Sequence, residues 1–336
     1  MKKIAIVKLS ALGDIVHAMV ALQFIKAHYP NSQIDWLVEA RFAQVLAHNP
    51  HLDHILSVNL KEVKQNKFAL LAEMSKVRQY ANAHYDIIID AQGLLKSALT
   101  ARILGKNIAG FDAQSIREPL ASLFYTHKIA CPYDTNTIDR NTTVLSQPLG
   151  FTISREAILN KQPFLFFAPP QTEVQYFLHP TRKNIVFVIG STWPSRNYPI
   201  EKFVDVANGL AQHCLVIWGN EEEHRAAQTM AQQSDFIDVL PALSLNDLKA
   251  LMARVDLVIG NDTGPTHFAW GLNIPSITLF GCTPESRVYQ TDINKTLKSA
   301  SVVNPKKLNK HDYSIREILP NDIIDLANTL LHLRGA

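Results

Sequence analysis

Asp14 stands in KLSALGDIVHAM, where an apolar strand pattern gives way to a helical one. A Ser-Ala-Leu-Gly turn separates the two elements, and Gly13 allows close backbone approach to a ligand or a positive φ. We expect Asp14 at the mouth of the helix, where a carboxylate either caps the helix or acts as a functional acid or base. The GxGxxG and Walker patterns are absent, so the loop is not a standard phosphate cradle.

A second stretch, VIGNDTGPTHFAW, ends a strand and opens a helix with Pro265 in its first turn. Asp262 or Thr263 fits the helix cap. The free N–H groups and the dipole of such a helix favour an anion, so the amides of Thr263 and Gly264 would hold a pyrophosphate. The alternative is a capped helix without a ligand. His267, one turn inside, is more typical of a packed core histidine than of a catalyst.

Two further strand ends carry polar side chains. In IGSTWPSRNYP, Ser191 and Thr192 offer hydroxyl groups and Arg196 offers a guanidinium suited to phosphate; a solvated surface loop is the alternative. In WGNEEEHR, three acids crowd a helix N-terminus, where they complement the dipole or where one accepts from ribose hydroxyls. These acids are Glu221, Glu222 and Glu223.

Three lysines recur at every third position and form either a basic face or a solvated helical edge. They are Lys61, Lys64 and Lys67. No HExxH or paired Cys/His motif is present, and the loops above contain no DxD motif. We therefore expect neither a metal nor a cofactor.

Composition narrows the class of protein. The 336 residues include 47% hydrophobic and 19% charged residues, which is typical of a soluble globular protein of two domains. A net charge of +3, without aromatic–basic interleaving, argues against nucleic-acid binding. The apolar run after Met1 is too short for a signal peptide, which argues against a periplasmic binding protein. No run approaches a membrane span. The three cysteines form no CxxC pair, which favours a reducing, cytoplasmic location.

Short apolar runs alternate with amphipathic stretches, which predicts parallel sheets covered by helices. The predicted strands span residues 3–8, 33–38, 54–58, 86–90, 108–110, 127–130, 184–189, 214–218, 236–240, 256–260 and 276–280. The predicted helices span residues 14–28, 41–48, 68–84, 94–104, 200–213, 221–233, 244–254 and 266–271.

We predict an α/β protein of two doubly wound, Rossmann-like domains facing a cleft, with ligands at the carboxyl ends of the strands. The domains are residues 1–165 and residues 184–320. A proline-containing linker, residues 166–183, joins them. We expect the final helix, within residues 321–336, to pack back on the N-terminal domain.

Four stretches, KLSALGDIVHAM, IDAQGLLKSA, REPLASLFY and GNDTGPTH, together resemble the lipopolysaccharide heptosyltransferases of glycosyltransferase family 9. The resemblance covers most of the chain, and REPLASLFY favours the type I branch of that family. It implies a GT-B fold and inverting, metal-independent transfer of L-glycero-D-manno-heptose from ADP-heptose to the inner Kdo of Kdo2-lipid A. The alternatives are a type II enzyme or another GT-B enzyme that uses a nucleotide sugar. Such a substrate implies a protein peripheral on the cytoplasmic face of the inner membrane.

The resemblance also implies roles for individual residues. Asp14 matches the general base, and Arg196 stands close to the donor phosphates, where the family often has Lys. The stretch before Glu222 is slightly short, so Glu221 or Glu223 could replace it at the ribose. The expected donor residues are Ser191, Thr192, Arg196, Glu222, Leu243, Asp262, Thr263, Gly264 and His267. The expected acceptor residues are Ser10, Gly13, Lys61, Lys64, Gln92 and Arg117.

Overall fold

Two parallel β-sheets organise the chain in this computed structural model, which describes residues 1–60 and 67–333. The chain divides into two compact units, Met1–Phe166 and Phe167–Ala336. Each unit contains one sheet of six strands and the helices that cover it.

The sheet of the first unit has the strand order β3-β2-β1-β4-β5-β6, and all neighbouring strands are parallel. Its strands are β1 (Lys3–Val7), β2 (Gln33–Glu39), β3 (His54–Val58), β4 (Ile87–Asp90), β5 (Ile108–Phe111) and β6 (His127–Ile129). Its helices are α1 (Leu12–Met19), α2 (Ala21–His28), α3 (Ala43–Leu46), α4 (Lys67–Ala81), α5 (Leu95–Leu104), α6 (Thr137–Ser146) and α7 (Arg155–Leu159).

The sheet of the second unit has the order β12-β11-β10-β7-β8-β9 and is also parallel. Its strands are β7 (Asn184–Val188), β8 (His213–Ile217), β9 (Ile237–Val239), β10 (Leu257–Asn261), β11 (Ser276–Phe280) and β12 (Asn294–Lys298). Its helices are α8 (Ile200–Leu210), α9 (Glu221–Ala231), α10 (Leu245–Met252), α11 (Gly264–Leu272) and α12 (Pro320–Leu333).

The two sheets share one topology, although we found no internal repeat in the sequence. Counting strands from the start of each unit, both sheets have the order 3-2-1-4-5-6. The order reverses between β1 and β4 in the first unit and between β7 and β10 in the second. In sheets of this kind, ligands bind beside the carboxyl ends of the strands at the point of reversal. The fold therefore offers one equivalent position in each unit.

Apolar side chains on both faces stabilise the central strands in the interior of each sheet. Every residue of β4, β7 and β10 is buried, as expected for parallel strands covered by helices on both sides. Two hydrophobic clusters form the cores, one around Ala5 and Ile88 and one around Phe187 and Ile259. All three cysteines are unpaired and buried.

Some elements depart from the sequence-based prediction. β12 was not predicted because NKTLK is largely polar; it lies at an edge of the sheet, where partial exposure tolerates such residues. α6 was missed because its threonines and Asn lower helix propensity, although the Asn136 side chain caps it. The helix predicted over residues 14–28 begins at Leu12 and divides at Val20 into α1 and α2.

The expected linker is packed against the second unit. The Asp247 carboxylate accepts from the Gln171 N–H at 2.9 Å and the Thr172 hydroxyl at 3.1 Å. The Asn246 side chain accepts from the Ala168 N–H at 2.9 Å. Residues 167–183 thus belong to the second unit, because the start of α10 fixes their backbone.

The final helix, α12, packs on α8, β10 and β11 of the second unit; its expected packing on the N-terminal domain stays a prediction. Gly209 of α8 makes the approach close: a Cβ atom at this position would lie 2.4 Å from Ile324 Cδ1. Among the described residues, no helix is long and apolar enough to cross a membrane.

Candidate active site

Asp14 lies in the first turn of α1, on the loop that follows β1. The helix begins two residues earlier than expected, so Ala11 is the N-cap and Gly13 has helical geometry rather than the expected turn. Asp14 is not the N-cap; its Oδ2 accepts from the Ala11 N–H at 3.3 Å. The carboxylate is half-buried, because this position at the helix entrance is outside the apolar core. A carboxylate placed in this way is held by the backbone and is still accessible to a substrate.

Gln92 ties the Asp14 loop to the end of the neighbouring strand. Its Oε1 accepts from the N–H groups of Leu9 and Ser10, both at 3.1 Å. Lys8 adds a second tie: its buried Nζ donates to the Ala91 carbonyl oxygen at 2.8 Å. The amide oxygen of Gln92 therefore serves the loop that carries Asp14.

Beneath this tie lies the Asp90 cluster, which consists of Asp90, Gln92, Gly93, Ser97 and Tyr125. Asp90 Oδ1 accepts from the backbone N–H groups of Gln92 and Gly93 at 2.9 and 3.2 Å. Its Oδ2 accepts from the hydroxyls of Ser97 and Tyr125 at 2.8 and 2.7 Å. Burial raises the pKa of Asp90, and these hydrogen bonds offset the rise only in part. Gly93 is required in this turn because its φ is +70°.

Two of the recognised motifs meet at this cluster. Tyr125 comes from REPLASLFY, and Asp90 comes from IDAQGLLKSA. Glu118 makes a second connection, because its Oε2 accepts from the Leu95 N–H at 2.7 Å, at the start of α5. Arg117 precedes this acid and is exposed. Lys61 and Lys64 lie outside the described residues, so their expected acceptor role stays a prediction.

The second unit holds a buried ionic group, the Asp262 cluster, which consists of Arg196, Asp262, His267 and Arg287. Asp262 Oδ2 lies 2.9 Å from Arg196 Nη2 and 3.3 Å from Arg287 Nε. Its Oδ1 lies 3.1 Å from His267 Nε2. The structure thus brings Arg196, from one predicted stretch, to Asp262 and His267, from another, and Arg287 joins them.

The electrostatics of this cluster are dominated by its cations. Burial alone would raise the pKa of Asp262, but the guanidinium groups of Arg287 and Arg196, together with His267, outweigh burial. They hold the pKa of Asp262 well below its ordinary value. One carboxylate faces two guanidinium groups, so positive charge remains for a further anion. The Nε of Arg196 is buried and, among the described residues, has no hydrogen-bond partner.

Asn261 ties the Arg196 loop to the sheet as Gln92 ties the Asp14 loop. Its Oδ1 accepts from the Tyr198 N–H at 3.0 Å, and its Nδ2 donates to the Ile189 carbonyl oxygen at 2.6 Å. Within the loop, the Ser191 hydroxyl hydrogen-bonds to Asn197 Oδ1 at 2.6 Å. This bond fixes Ser191 as a loop-shaping residue, whereas Thr192 is exposed.

The first turn of α11 follows Asp262. Thr263 is its N-cap, and the Thr263 side chain makes no capping hydrogen bond. Pro265 occupies the first turn, and both Thr263 and Gly264 are half-buried. Asp262 therefore serves the ionic cluster instead of capping the helix, and the backbone N–H groups in the first turn of a helix such as α11 suit a phosphate.

Among the three consecutive acids, Glu223 is the one that approaches the strand ends. Its Oε2 accepts from the Gly219 N–H at 2.7 Å, and a Cβ atom at Gly190 would lie 2.0 Å from its Oε1. Glu221 and Glu222 are exposed. Gly190 follows β7, so the Glu223 carboxylate lies beside the loop that carries Arg196. Leu243 is half-buried just before α10.

Arg287 and Asn261 were not found as functional residues from the sequence, whereas Gln92 was expected on the acceptor side and not as a tie of the Asp14 loop. Arg287 lies 25 positions beyond Asp262 in GCTPESR, which follows β11. Its only sequence signal is a basic residue shortly after the carboxyl end of a buried parallel strand. Among the described residues, no group of three or more His, Cys, Asp or Glu side chains is arranged to hold a metal ion.

Comparisons with known proteins agree with the motifs. Residues 74–315 match the sequence profile of glycosyltransferase family 9 (heptosyltransferase). Lipopolysaccharide heptosyltransferase 1 of Campylobacter coli is 33% identical over 98% of this chain and 98% of its own. The protein of the same name from Escherichia coli K12 is 31% identical over 84% of this chain and 88% of its own. The solved structure of E. coli heptosyltransferase WaaC with ADP-2-deoxy-2-fluoro heptose has a TM-score of 0.77 at 25% identity, covering 97% of this chain and 99% of that one.

Proposed function

The chain belongs to glycosyltransferase family 9, the heptosyltransferases, and we propose that it transfers L-glycero-D-manno-heptose from ADP-heptose to the inner Kdo of Kdo2-lipid A. Heptose transfer in lipopolysaccharide core synthesis follows from its relatives. The acceptor, the inverting course and metal independence are the further parts of the proposal. Two expectations are confirmed, the family and the α/β GT-B fold class of two doubly wound units.

The Asp262 cluster carries the donor half of this proposal. When the bond between the anomeric carbon and the diphosphate oxygen breaks, negative charge gathers on the departing ADP. Arg196 and Arg287 are already fixed in place by Asp262, so they stabilise that charge without reorganising. The unpartnered Nε of Arg196 offers a hydrogen-bond donor for a phosphate oxygen. These cations do the work that a divalent metal does in other phosphate-binding sites, which supports metal independence.

Other residues of the second unit complete the donor site. The N–H groups at the start of α11, with Thr263 and Gly264, bind the diphosphate. Glu223 or Glu222 accepts from the ribose hydroxyls; Glu223 is favoured because its carboxylate lies over Gly190. Leu243 packs on the adenine. Thr192 offers an exposed hydroxyl to the donor.

Asp14 is the residue on which the acceptor side of the proposed mechanism depends. The attacking Kdo hydroxyl is a weak nucleophile, and a carboxylate that takes its proton contributes about 10²–10⁴ in rate. The oxygen forms a bond to the anomeric carbon while ADP leaves from the opposite face, so a single displacement inverts that carbon. Arg117, Lys61 and Lys64 supply positive charge for the Kdo carboxylates. Ser10, Gly13 and Gln92 shape the loop that presents Asp14.

The acceptor is a glycolipid, so we also propose that the protein works at the cytoplasmic surface of the inner membrane. A type II enzyme acts on a different acceptor, and the choice of acceptor in the assay separates the two.

The test is transfer by the purified full chain. The protein is incubated with ADP-heptose and Kdo2-lipid A in the presence of a chelator. Mass spectrometry should show one added heptose, free ADP should appear in equal amount, and the product should have the inverted anomeric configuration. No heptose addition to Kdo2-lipid A, with addition to a heptosylated core instead, would contradict the acceptor assignment.

The Asp14→Asn variant tests the base. We expect it to fold, to bind ADP-heptose with unchanged affinity and to lose transfer by about a hundredfold or more. Asp134→Asn, at an exposed acid of the same unit, is the matched control and should keep full turnover. Normal turnover of Asp14→Asn would remove Asp14 from the mechanism.

A further inference from the structure

Exposed leucines gather on adjacent elements of the first unit. Leu120 and Leu123 are 61% and 72% exposed and belong to a short 3₁₀ helix over residues 119–124. Residues three apart in a 3₁₀ helix lie on the same side, so both leucines face outward together. Leu99 of α5 is 50% exposed, and α5 packs directly beside this 3₁₀ helix. We call these three residues the leucine patch.

The position of Leu99 on α5 is informative. Ser97, Ala101 and Leu104 are buried against the sheet, and at 100° per residue Leu99 points away from them. The centre of the outward face of a surface helix is usually polar, yet this helix places a leucine there. Leu70 and Leu71 of α4, which packs on α5, are also exposed.

Exposed apolar residues of the second unit are distributed differently. Tyr176, Val302 and Leu319 lie on separate loop or 3₁₀ segments, and scattered exposed residues of this kind are normal. Exposed leucines on neighbouring elements of one unit are instead concentrated, and such a concentration is typical of an interaction site.

The charges around the leucine patch indicate what binds there. Residues 91–131 contain five Lys or Arg against two Asp or Glu, a surplus equal to the net charge of the whole chain. Both acids are occupied by backbone N–H groups, Asp112 by Ser115 and Glu118 by Leu95. All five basic residues are exposed: Lys96, Arg102, Lys106, Arg117 and Lys128. Lys96 lies 3.8 Å from Glu39 Oε1, so the proposal uses Arg102 and Lys106. Apolar side chains among basic ones complement a bilayer that carries anionic headgroups.

We propose that the leucine patch, with Arg102 and Lys106, docks the first unit on an anionic lipid bilayer. The inference rests on the proposed function, because a lipid-anchored acceptor gives docking its purpose. Two observations bear on that purpose: α5 begins three residues after Gln92, and Glu118 joins the start of α5 to the loop of Arg117. The start of α5 and the 3₁₀ helix therefore connect the docked surface to the loop of Arg117, whereas Arg102 and Lys106 lie at the other end of α5.

The first test measures binding to vesicles of phosphatidylethanolamine and phosphatidylglycerol by flotation, with phosphatidylcholine vesicles for comparison. The full chain should bind the anionic vesicles and bind the neutral ones at least tenfold more weakly. The Leu120→Ser/Leu123→Ser variant should bind anionic vesicles at least tenfold more weakly than the unaltered chain. The matched control is Tyr176→Ser/Val302→Ser, at residues of equal or greater exposure, and it should bind as the unaltered chain does.

The second test isolates charge. Arg102→Gln/Lys106→Gln should weaken binding about fivefold for each charge removed at low salt, and the difference should shrink as salt is added. Lys306→Gln/Lys307→Gln, at exposed lysines of the second unit, should leave binding unchanged. No vesicle binding by the unaltered chain, or equal losses in the patch and control variants, would overturn the proposal and point to a protein partner instead.

Transfer assays separate this proposal from the proposed function. The Leu120→Ser/Leu123→Ser variant should transfer heptose to detergent-dispersed Kdo2-lipid A within about twofold of the unaltered chain, and should lose at least tenfold when the acceptor is embedded in vesicles. Equal activity on both acceptors would overturn docking and leave the enzyme assignment intact. Vesicle binding without transfer to the dispersed acceptor would overturn the enzyme assignment and leave docking intact.

Discussion

Asp90 and Asp262 occupy equivalent places in the two units, yet their neighbours shift their pKa values in opposite directions. Asp90 ends β4, and Asp262 directly follows β10, which is the corresponding strand of the second sheet. Both carboxylates are buried. Neutral hydroxyl and amide groups surround Asp90, and its pKa is raised. Guanidinium groups surround Asp262, and its pKa is lowered.

At the same position of the shared topology, Asp90 therefore has a structural role and Asp262 has a role in the proposed donor site. The hydrogen bonds of Asp90 are satisfied by its own unit, so it anchors the turn that holds Gln92 and, through Gln92, the Asp14 loop. Asp262 has more cationic partners than one carboxylate neutralises. A buried ion pair is weak support for stability, but a surplus of fixed positive charge at a strand end is what a diphosphate requires.

The largest effect should come from Asp262→Asn. The change keeps the shape but removes the charge that Arg196 and Arg287 face, and breaking a buried ion pair costs about 3–5 kcal/mol. We expect denaturant titration to show the free energy of unfolding of the second unit lowered by that amount. Asp238→Asn, at a 73% exposed carboxylate paired with His213, should cost less than about 1 kcal/mol. If both variants lost the same free energy of unfolding, the Asp262 cluster would not stabilise the second unit more than a surface ion pair does.

Arg196→Ala and Arg287→Ala should each lower turnover by about 10²–10³, the usual cost of removing one preorganised donor from a developing anion. The affinity for ADP-heptose should fall as well. Steady-state kinetics with each substrate varied in turn measures both effects. Arg225→Ala, at an exposed arginine of α9, is the control. A change in the acceptor KM alone would refute the phosphate role.

Substitution of Asn261 or Gln92, the two amide ties, should have an intermediate effect on the free energy of unfolding and on kcat. Asn261→Ala leaves the Tyr198 N–H and the Ile189 carbonyl oxygen without their partner, which costs about 1–3 kcal/mol of folding free energy. Gln92→Ala should cost less because Gln92 is only half-buried, but it should lower kcat more than it raises KM, since Asp14 loses its position. Gln92→Glu keeps an acceptor oxygen and should restore most of kcat. Failure of this rescue would argue against a positioning role.

Much of the fold followed from local patterns. Runs such as NIVFV and IIID are apolar except for one polar residue at an end, so burial on both faces was predictable without any knowledge of their partners. β12 was not predictable in this way, because the polar residues of NKTLK acquire a strand conformation only from pairing with β11. Asp14 was placed on the correct loop, but the helix start at Leu12 changed its role from the N-cap to the third residue of the helix.

The site was predictable where a motif is continuous in sequence. GNDTGPTH placed Asp262, Thr263 and His267 on one strand-to-helix turn. The contacts of Gln92 with Leu9 and Ser10 span more than 80 residues, and Asn261 reaches Tyr198 across 63 residues. Arg287 meets Asp262 only because β10 and β11 are neighbours. Such contacts are created by topology, and one sequence does not display them.

The pH dependence of Asp262→Asn should have a defined sign. The pKa of Asp262 in the folded chain lies below its ordinary value of 3.8, so its ionised form contributes stability above that pH and loses it as the pH falls further. The difference in unfolding free energy between the unaltered chain and Asp262→Asn should therefore shrink below about pH 4, by at most about 1.4 kcal/mol per pH unit. A difference that grows on acidification would contradict the assignment.

Asp90→Asn should have the smallest effect and the opposite pH dependence. The Asn side chain can still accept from the Gln92 and Gly93 N–H groups, and the Ser97 and Tyr125 hydroxyls can turn to accept from its NH₂ group, so we expect a loss of about 1 kcal/mol. The pKa of Asp90 in the folded chain lies above 3.8, so its contribution is fully present below that pH and declines as the pH rises through the raised pKa. The gap between the unaltered chain and Asp90→Asn should therefore narrow with rising pH, whereas the Asp262→Asn gap widens. Denaturant titrations over one pH series measure, for each variant, how its difference in unfolding free energy from the unaltered chain changes with pH. Changes of the same sign for both variants would contradict the opposite pKa shifts of Asp90 and Asp262.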